Sequence, residues 1–134
     1  MKEELLKLAE RVEALSGPDR EVDSEIDRLT FRGPFEDRLC GCMGNCLPGH
    51  PAYDGACVSV PHYTASLDAA MTLKPEGWRV QHLGHCLGGW RCRVETNGPP
   101  SHSIVVGFPK KEPTATPALA LCSAALRALA KGDV

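Results

Sequence analysis

The chain has 134 residues, 43% of them hydrophobic and 24% charged, with a formal net charge of −2 at pH 7. This length is typical of one domain, so residues 1–134 are treated as a single domain. Proteins that bind nucleic-acid polymers normally carry an excess of basic residues, so the net negative charge argues against this class. No apolar stretch is long enough for a membrane span, and the start lacks the apolar segment of a secretory signal, so we expect a cytoplasmic protein.

Two helices are predicted at the start of the chain. Apolar residues recur at three- and four-residue spacing in residues 2–15, which defines one face of a helix. The sequence SGPD (16–19) interrupts this pattern. A second helix is predicted from about Asp19 to Leu29, because acidic residues begin it and apolar residues repeat along one side.

The middle of the chain is predicted to be a long loop. No hydrophobic period survives from Phe31 to Pro61, where glycine, proline and cysteine dominate. A loop of this length inside a small domain is uncommon unless it is functional or tied down. A bound metal ion would tie it down, so residues 31–61 form a candidate zinc-binding loop within the domain.

A short helix is predicted within HYTASLDAAMTLKPEGW (62–78). Thr64 or Ser66 can cap its start, and Pro75 and Gly77 end it. Its predicted apolar side consists of Leu67, Ala70, Met71 and Leu73.

Three strands in an antiparallel meander are predicted next. Residues 77–86 and 88–96 alternate between apolar and polar positions, and LGG (87–89) is the turn that joins them. NGPP (97–100) leads to a third strand at 101–108, and such short connections produce antiparallel order. The predicted inward positions are Trp78, Val80 and His82 on the first strand and Trp90, Cys92 and Val94 on the second.

The last helix has clear start and stop signals. Thr116 is the predicted N-cap, Pro117 occupies the first helical position, and Gly132 follows the end. The order α-α-loop-α-β-β-β-α separates the helices from a three-stranded antiparallel meander. This arrangement is typical of the α+β class, here with helices covering the sheet and a Cys-rich loop.

Two stretches, PHYTASLDAAMTLKPEGW (61–78) and TPALALCSAALRAL (116–129), consist mostly of helix caps, apolar helix faces and a tryptophan that begins a strand. These two stretches resemble small bacteriophage proteins with a phage ABA-sandwich domain. The resemblance implies a phage or prophage origin and a small sheet covered by helices. It implies no general activity, and it does not extend to the cysteine-rich segment 40–57.

The segment LCGCMGNCLPGH (39–50) predicts a zinc site. Three thiolates at this spacing can surround one ion, and tetrahedral zinc needs a fourth ligand. Four protein ligands leave no open position, so the zinc would be structural and would close the loop. Unmetallated thiols and a redox or catalytic use of the cysteines are the alternatives. The candidate ligands are Cys40, Cys42 and Cys46, with His50 or Cys57 as the fourth.

A second candidate site lies at the start of the short helix. Free backbone N–H groups at a helix N-terminus favour an anion, aromatic rings can stack a base, and an arginine can meet a phosphate. The competing interpretation is that the hydroxyl only caps the helix and that the tryptophan is core. The ligand-binding candidates are Tyr63, Thr64, Ser66, Trp78 and Arg79, with Arg91 and Arg93 as further arginines.

The sequence lacks the phosphate-binding loop, the nucleophile elbow and the dinucleotide fingerprint, so we predict a protein that is not an enzyme. The first hypothesis is a phage accessory protein that binds and sequesters a small anionic ligand, such as a nucleotide messenger of host antiviral defence. Ligands of this kind are often held between subunits, which favours a homo-oligomer. The alternative is a zinc-stabilised module that docks on a host or phage protein through apolar anchors in the loop.

Overall fold

Helices and a small antiparallel sheet share one buried core in the computed structural model, which describes residues 2–30, 52–53, 56–57, 61–86, 88–99, 101–107 and 114–132. The predicted α+β class and the three-stranded meander are confirmed. Within the described ranges, no helix has the length and apolar character needed to cross a membrane. The elements are α1 (Lys2–Glu13), α2 (Arg20–Thr30), β1 (Ala52–Tyr53), β2 (Ala56–Cys57), α3 (Leu67–Met71), β3 (Trp78–Cys86), β4 (Gly89–Thr96), β5 (Ser103–Val106) and α4 (Pro117–Gly132).

Helix α4 lies at the centre of the core. It contacts α1, α3 and each strand of the three-stranded sheet, and most of its side chains are buried. A helix that is apolar on nearly every side must be surrounded by other elements, and its many alanines let them approach closely. The predicted cap is confirmed, because the Thr116 hydroxyl accepts the Leu119 N–H at 3.1 Å.

The first two helices lie close to their predicted limits. Helix α1 ends at Glu13, before the predicted limit at residue 15, and α2 begins at Arg20 because Asp19 is its cap. The Asp19 carboxylate accepts the N–H groups of Glu21 at 2.9 Å and Val22 at 3.3 Å. These bonds satisfy two donors that have no partner within the helix.

A bulge in β3 changes which residues face the core. Val80 lies opposite Val94, but His82 lies opposite Arg93, so β3 contains one residue more than β4 at this point. The extra residue reverses the alternation beyond it, and His82 is exposed while Leu83 packs against the core. The prediction that His82 points inward is therefore wrong, whereas the predicted burial of Cys92 and Val94 is confirmed.

Strand β5 is shorter than the predicted strand at 101–108. It ends at Val106, because Gly107 has a φ of +93°, which a continuing strand does not allow. A Cβ atom at Gly107 would stand 2.8 Å from the carbonyl oxygen of Trp90. The same carbonyl oxygen is held by Thr114, since Trp90 and Thr114 exchange backbone hydrogen bonds of 2.8 and 3.0 Å.

Helix α3 is capped as predicted, and it has one buried side and one exposed apolar side. The Ser66 hydroxyl accepts the Ala69 N–H at 3.3 Å, which confirms Ser66 as the N-cap. Ala70 and Leu73 are buried, but Leu67 and Met71 are 41% and 44% exposed. Residues four apart share one side of a helix, so these two lie together facing away from the core, and their predicted burial is wrong.

The predicted loop 31–61 contains a short regular pairing that the sequence did not indicate. Strands β1 and β2 pair in antiparallel fashion, with Ala52 opposite Cys57 and Tyr53 opposite Ala56. The rest of the loop, apart from Pro61, lies outside the described residues.

Candidate functional site

The two aromatic candidates for base stacking lie in the core. Tyr63 and Trp78 are 6% and 7% exposed and belong to the buried cluster that surrounds α4. The Tyr63 hydroxyl donates to the Asp27 carboxylate at 3.4 Å. Neither ring offers a free face, so the prediction that they stack a ligand base is corrected by their burial.

Thr64 joins the turn before α3 to helix α2. Its N–H and its hydroxyl both donate to one carboxylate oxygen of Asp23 at 2.8 Å, and all three groups are buried. The other Asp23 oxygen accepts from Arg20 at 3.0 Å, and the Thr64 hydroxyl oxygen accepts the Asp19 N–H at 2.9 Å. Thr64 therefore holds the fold together and is not available to a ligand.

The predicted anion site at the start of α3 is not formed in this arrangement. The Thr64 N–H is taken by Asp23 and the Ala69 N–H by the Ser66 hydroxyl. Helix α3 has only 5 residues, so its dipole adds little. Of the five ligand-binding candidates, Arg79 is the one whose side chain is largely exposed, at 64%.

Arg79 belongs to a larger group of basic side chains on one face of the sheet. Residues opposite each other on neighbouring strands share a face. The register places Arg79 opposite Glu95, His82 opposite Arg93, and Gly84 opposite Arg91. We call this surface the arginine face, and it consists of Arg79, His82, Arg91, Arg93 and Glu95.

The arginine face is the side of the sheet that α4 does not cover. Trp78, Val80, Cys92 and Val94 point to α4 and the core, and the arginines occupy the alternate positions. Among the described helices, only α4 contacts these strands. No described helix covers the arginine face, on which Arg79 and His82 are exposed while Arg91 and Arg93 are half-buried.

Glu95 links two of the arginines. Its carboxylate accepts from Arg79 at 2.6 and 2.9 Å and lies 4.0 Å from Arg93. One carboxylate cannot neutralise three guanidinium groups, so the face keeps two formal positive charges on a chain whose net charge is −2.

Two hydrogen-bond donors on this face lack acceptors. The Nε atoms of Arg91 and Arg93 are shielded from water and have no partner among the described residues. Beside Arg93 is a shallow cavity of about 360 Å³, whose lining includes Arg79, Arg93, Glu95, Thr96, Asn97, His102 and Ser103. Unsatisfied buried donors cost free energy, and an anionic acceptor would recover it.

The predicted zinc ligands lie almost entirely outside the described residues. Cys40, Cys42, Cys46 and His50 are not described, and Cys57 is described only as part of strand β2. Within the described ranges, no group of three or more His, Cys, Asp or Glu side chains can hold a metal ion. Structural zinc in the loop stays a prediction.

Two cysteines are core residues with unreactive thiols. Burial raises the pKa of the Cys92 thiol from 9.0 to about 12. Burial, and then the negative charge of Asp23, also raises the pKa of Cys122. The thiolate is the nucleophile and the metal ligand, so neither cysteine suits such a role at neutral pH.

The raised pKa of Cys92 predicts an alkaline loss of stability. Above pH 9 the unfolded chain ionises this thiol while the folded chain keeps it protonated, so the folded state is fully favoured below pH 9 and loses stability towards pH 12. The expected loss is about 1.4 kcal/mol per pH unit for each such thiol. Urea unfolding at about pH 8 and about pH 10 should show a smaller loss for Cys92→Val than for the unaltered protein. Equal losses in the two proteins would contradict a raised pKa of the Cys92 thiol.

Comparison with known proteins gives no relative: no family model, curated protein or solved structure matches the chain. The resemblance to phage ABA-sandwich proteins stays a prediction.

Proposed function

We propose that this protein binds a small phosphate-bearing ligand of the nucleotide class on its arginine face and holds it without chemical turnover. One observation supports the proposal above all: Arg79, Arg91 and Arg93 share a sheet face that no described helix covers, together with one described carboxylate. This retains the predicted small anionic ligand and the predicted Arg79, but moves the site from the start of α3 to the sheet.

The spacing of the arginines suits phosphate groups. Arg91 and Arg93 are two residues apart on β4, so their Cα atoms are about 7 Å apart and their side chains leave the same face. A guanidinium can donate two parallel hydrogen bonds to a phosphate, and charge-assisted bonds of this kind are about twice as strong as neutral ones. The Nε donors without acceptors would gain partners on binding.

His82 can take the stacking role that was predicted for the buried aromatic rings. A Cβ atom at Gly84 would stand 2.9 Å from Nε2 of His82, so the imidazole ring lies across the glycine. His82 is exposed, and it lies next to Arg93 in the register. A flat ring beside two guanidinium groups can stack a base while the phosphates meet the arginines.

A thermal-shift titration tests the proposal. The purified protein is heated with cyclic dinucleotides, cyclic trinucleotides, ATP or pyrophosphate, each in turn. A ligand that binds only the folded state stabilises it by about 2.7 kcal/mol at a hundredfold excess over its Kd. We expect at least one of these nucleotides to raise Tm, and Arg91→Ala and Arg93→Ala each to weaken its binding by about tenfold or more.

Arg28→Ala is the matched control, because Arg28 is an exposed arginine of α2. It removes the same charge and should leave nucleotide binding unchanged. A flat Tm across all the nucleotides, or equal losses in the Arg28 and Arg91 variants, would refute the arginine face as the binding site.

A further inference from the structure

A groove runs along the outer edge of β5. It has a volume of about 570 Å³ and lies between α1, β5 and α4. All four residues of β5 line it, which is typical of a groove beside a strand edge, because a groove over one sheet face touches only alternate residues.

The hydrogen-bonding pattern shows which groups face this groove. The Thr96 N–H donates to the His102 carbonyl at 3.0 Å, which fixes the alternation of the β4–β5 ladder. Two and four residues further on, Ile104 and Val106 turn their backbone groups to β4. Ser103 and Val105 therefore turn their N–H and C=O groups outward, and in the described sheet β5 pairs only with β4.

The walls of the groove are positively charged. Lys2, Arg127 and Lys131 line it, against the single carboxylate of Glu13. That carboxylate already accepts from Arg127 Nε at 2.8 Å and from the Ser123 hydroxyl. The Nη2 atom of Arg127 is shielded from water and has no partner in the described residues.

Between the charges the groove is apolar. Leu6, Ile104 and Ala130 contribute side chains from α1, β5 and α4. An occupant that fits must therefore offer backbone groups to the strand edge, an apolar side chain to the wall and a carboxylate to the basic end.

We propose that an extended segment of a partner protein with an acidic side chain binds here and adds a strand to the edge of β5 that is unpaired in the described sheet. Strand addition takes its affinity from backbone hydrogen bonds and its specificity from side-chain pockets. A second copy of this chain is disfavoured, because its β5 would bring another Lys2, Arg127 and Lys131 to the same place, and like charges oppose the pairing. The proposal does not depend on the function of the arginine face.

Fluorescence anisotropy with labelled hexapeptides tests this directly. The peptides alternate valine and threonine, with one aspartate placed at each position in turn and asparagine in a matched set. We expect at least one aspartate peptide to bind, and its asparagine counterpart to have an affinity lower by about tenfold or more. Binding of both sets with equal affinity, or of neither set, overturns the proposal.

Two variants and a control locate the site on the protein. Lys131→Glu should weaken peptide binding about tenfold, and Val105→Pro should abolish it, because proline removes an outward N–H without breaking the bonds to β4. Lys7→Glu makes the same charge change on the exposed part of α1 and should have no effect. An equal loss in the Lys7 variant overturns the proposal.

Amide hydrogen exchange supplies a readout of the backbone itself. Binding should protect the Ser103 and Val105 amides, whereas Ile104 and Val106 should exchange slowly with or without peptide. Protection of Ser103 and Val105 in a dimer that forms without peptide, seen by light scattering, would assign the edge to a second copy and overturn the proposal.

Discussion

Replacing Asp23 with alanine is expected to destabilise the protein by about 3 kcal/mol. The change leaves the buried N–H of Thr64 without its acceptor, leaves the Thr64 hydroxyl only the Asp19 carbonyl at 3.3 Å, and removes one partner of Arg20. A buried donor that loses its acceptor costs its full desolvation penalty, and here the Thr64 hydroxyl loses the shorter of its two bonds as well. The bond network spans 41 residues of sequence, so its loss also releases the turn before α3 from α2.

Urea unfolding of the Asp23→Ala variant measures this effect. Glu21→Ala is the matched control, because Glu21 is an acidic residue of the same helix whose side chain is 87% exposed. Its loss should stay within about 0.5 kcal/mol. Thr64→Val should cost less than Asp23→Ala, and the double variant should cost less than the sum of the two. Additive losses would show that the two residues act independently and that the network is not the cause.

Gly107→Ala is expected to cost about 2–3 kcal/mol, from two sources that add. A φ of +93° strains any residue that has a Cβ atom, and this Cβ would stand 2.8 Å from the Trp90 carbonyl oxygen. Because Trp90 is a backbone partner of Thr114, the carbonyl cannot withdraw without disturbing that bridge.

Two other glycines separate the sources of this cost. Gly88 has a φ of +88° with open space around its missing Cβ, so Gly88→Ala should show the conformational strain alone. Gly98 has neither a positive φ nor a close neighbour, so Gly98→Ala should be nearly neutral. In urea unfolding, the loss of stability should be largest for Gly107→Ala, smaller for Gly88→Ala and smallest for Gly98→Ala. Equal losses for Gly107→Ala and Gly88→Ala would show that the contact with Trp90 costs nothing.

Most of the secondary structure could be predicted from local sequence. The helices α1, α2 and α4 have regular apolar spacing, and their caps at Asp19 and Thr116 depend on residues within one turn. The bulge in β3 could not be predicted, because the strand reads as regular alternation and the extra residue is fixed by pairing with β4. The close approach of Gly107 to the Trp90 carbonyl likewise depends on tertiary structure, because the two residues are distant in sequence.

The candidate site depended more on tertiary structure. Tyr63 and Thr64 looked available because the sequence did not show that Asp23 and Asp27 would lie against them. Arg91 and Arg93 share a face by simple alternation along one strand. Arg79 and His82 lie on the same face because of the register between β3 and β4 and because of the bulge in β3. No local sequence pattern indicated either feature.

The packing of α1 on α4 has a consequence for synthesis on the ribosome. Glu13 and Arg127, which bond to each other, are 114 residues apart in the chain. At a synthesis rate of about 5–20 residues per second, α1 waits on the order of 10 s for its partner helix. During that time the apolar side of α1, with Leu5, Leu8 and Val12, has no α4 to cover it. A nascent chain that stalls before α4 should therefore be a chaperone client and a protease substrate, whereas in the folded chain α4 packs against α1 and these residues are buried.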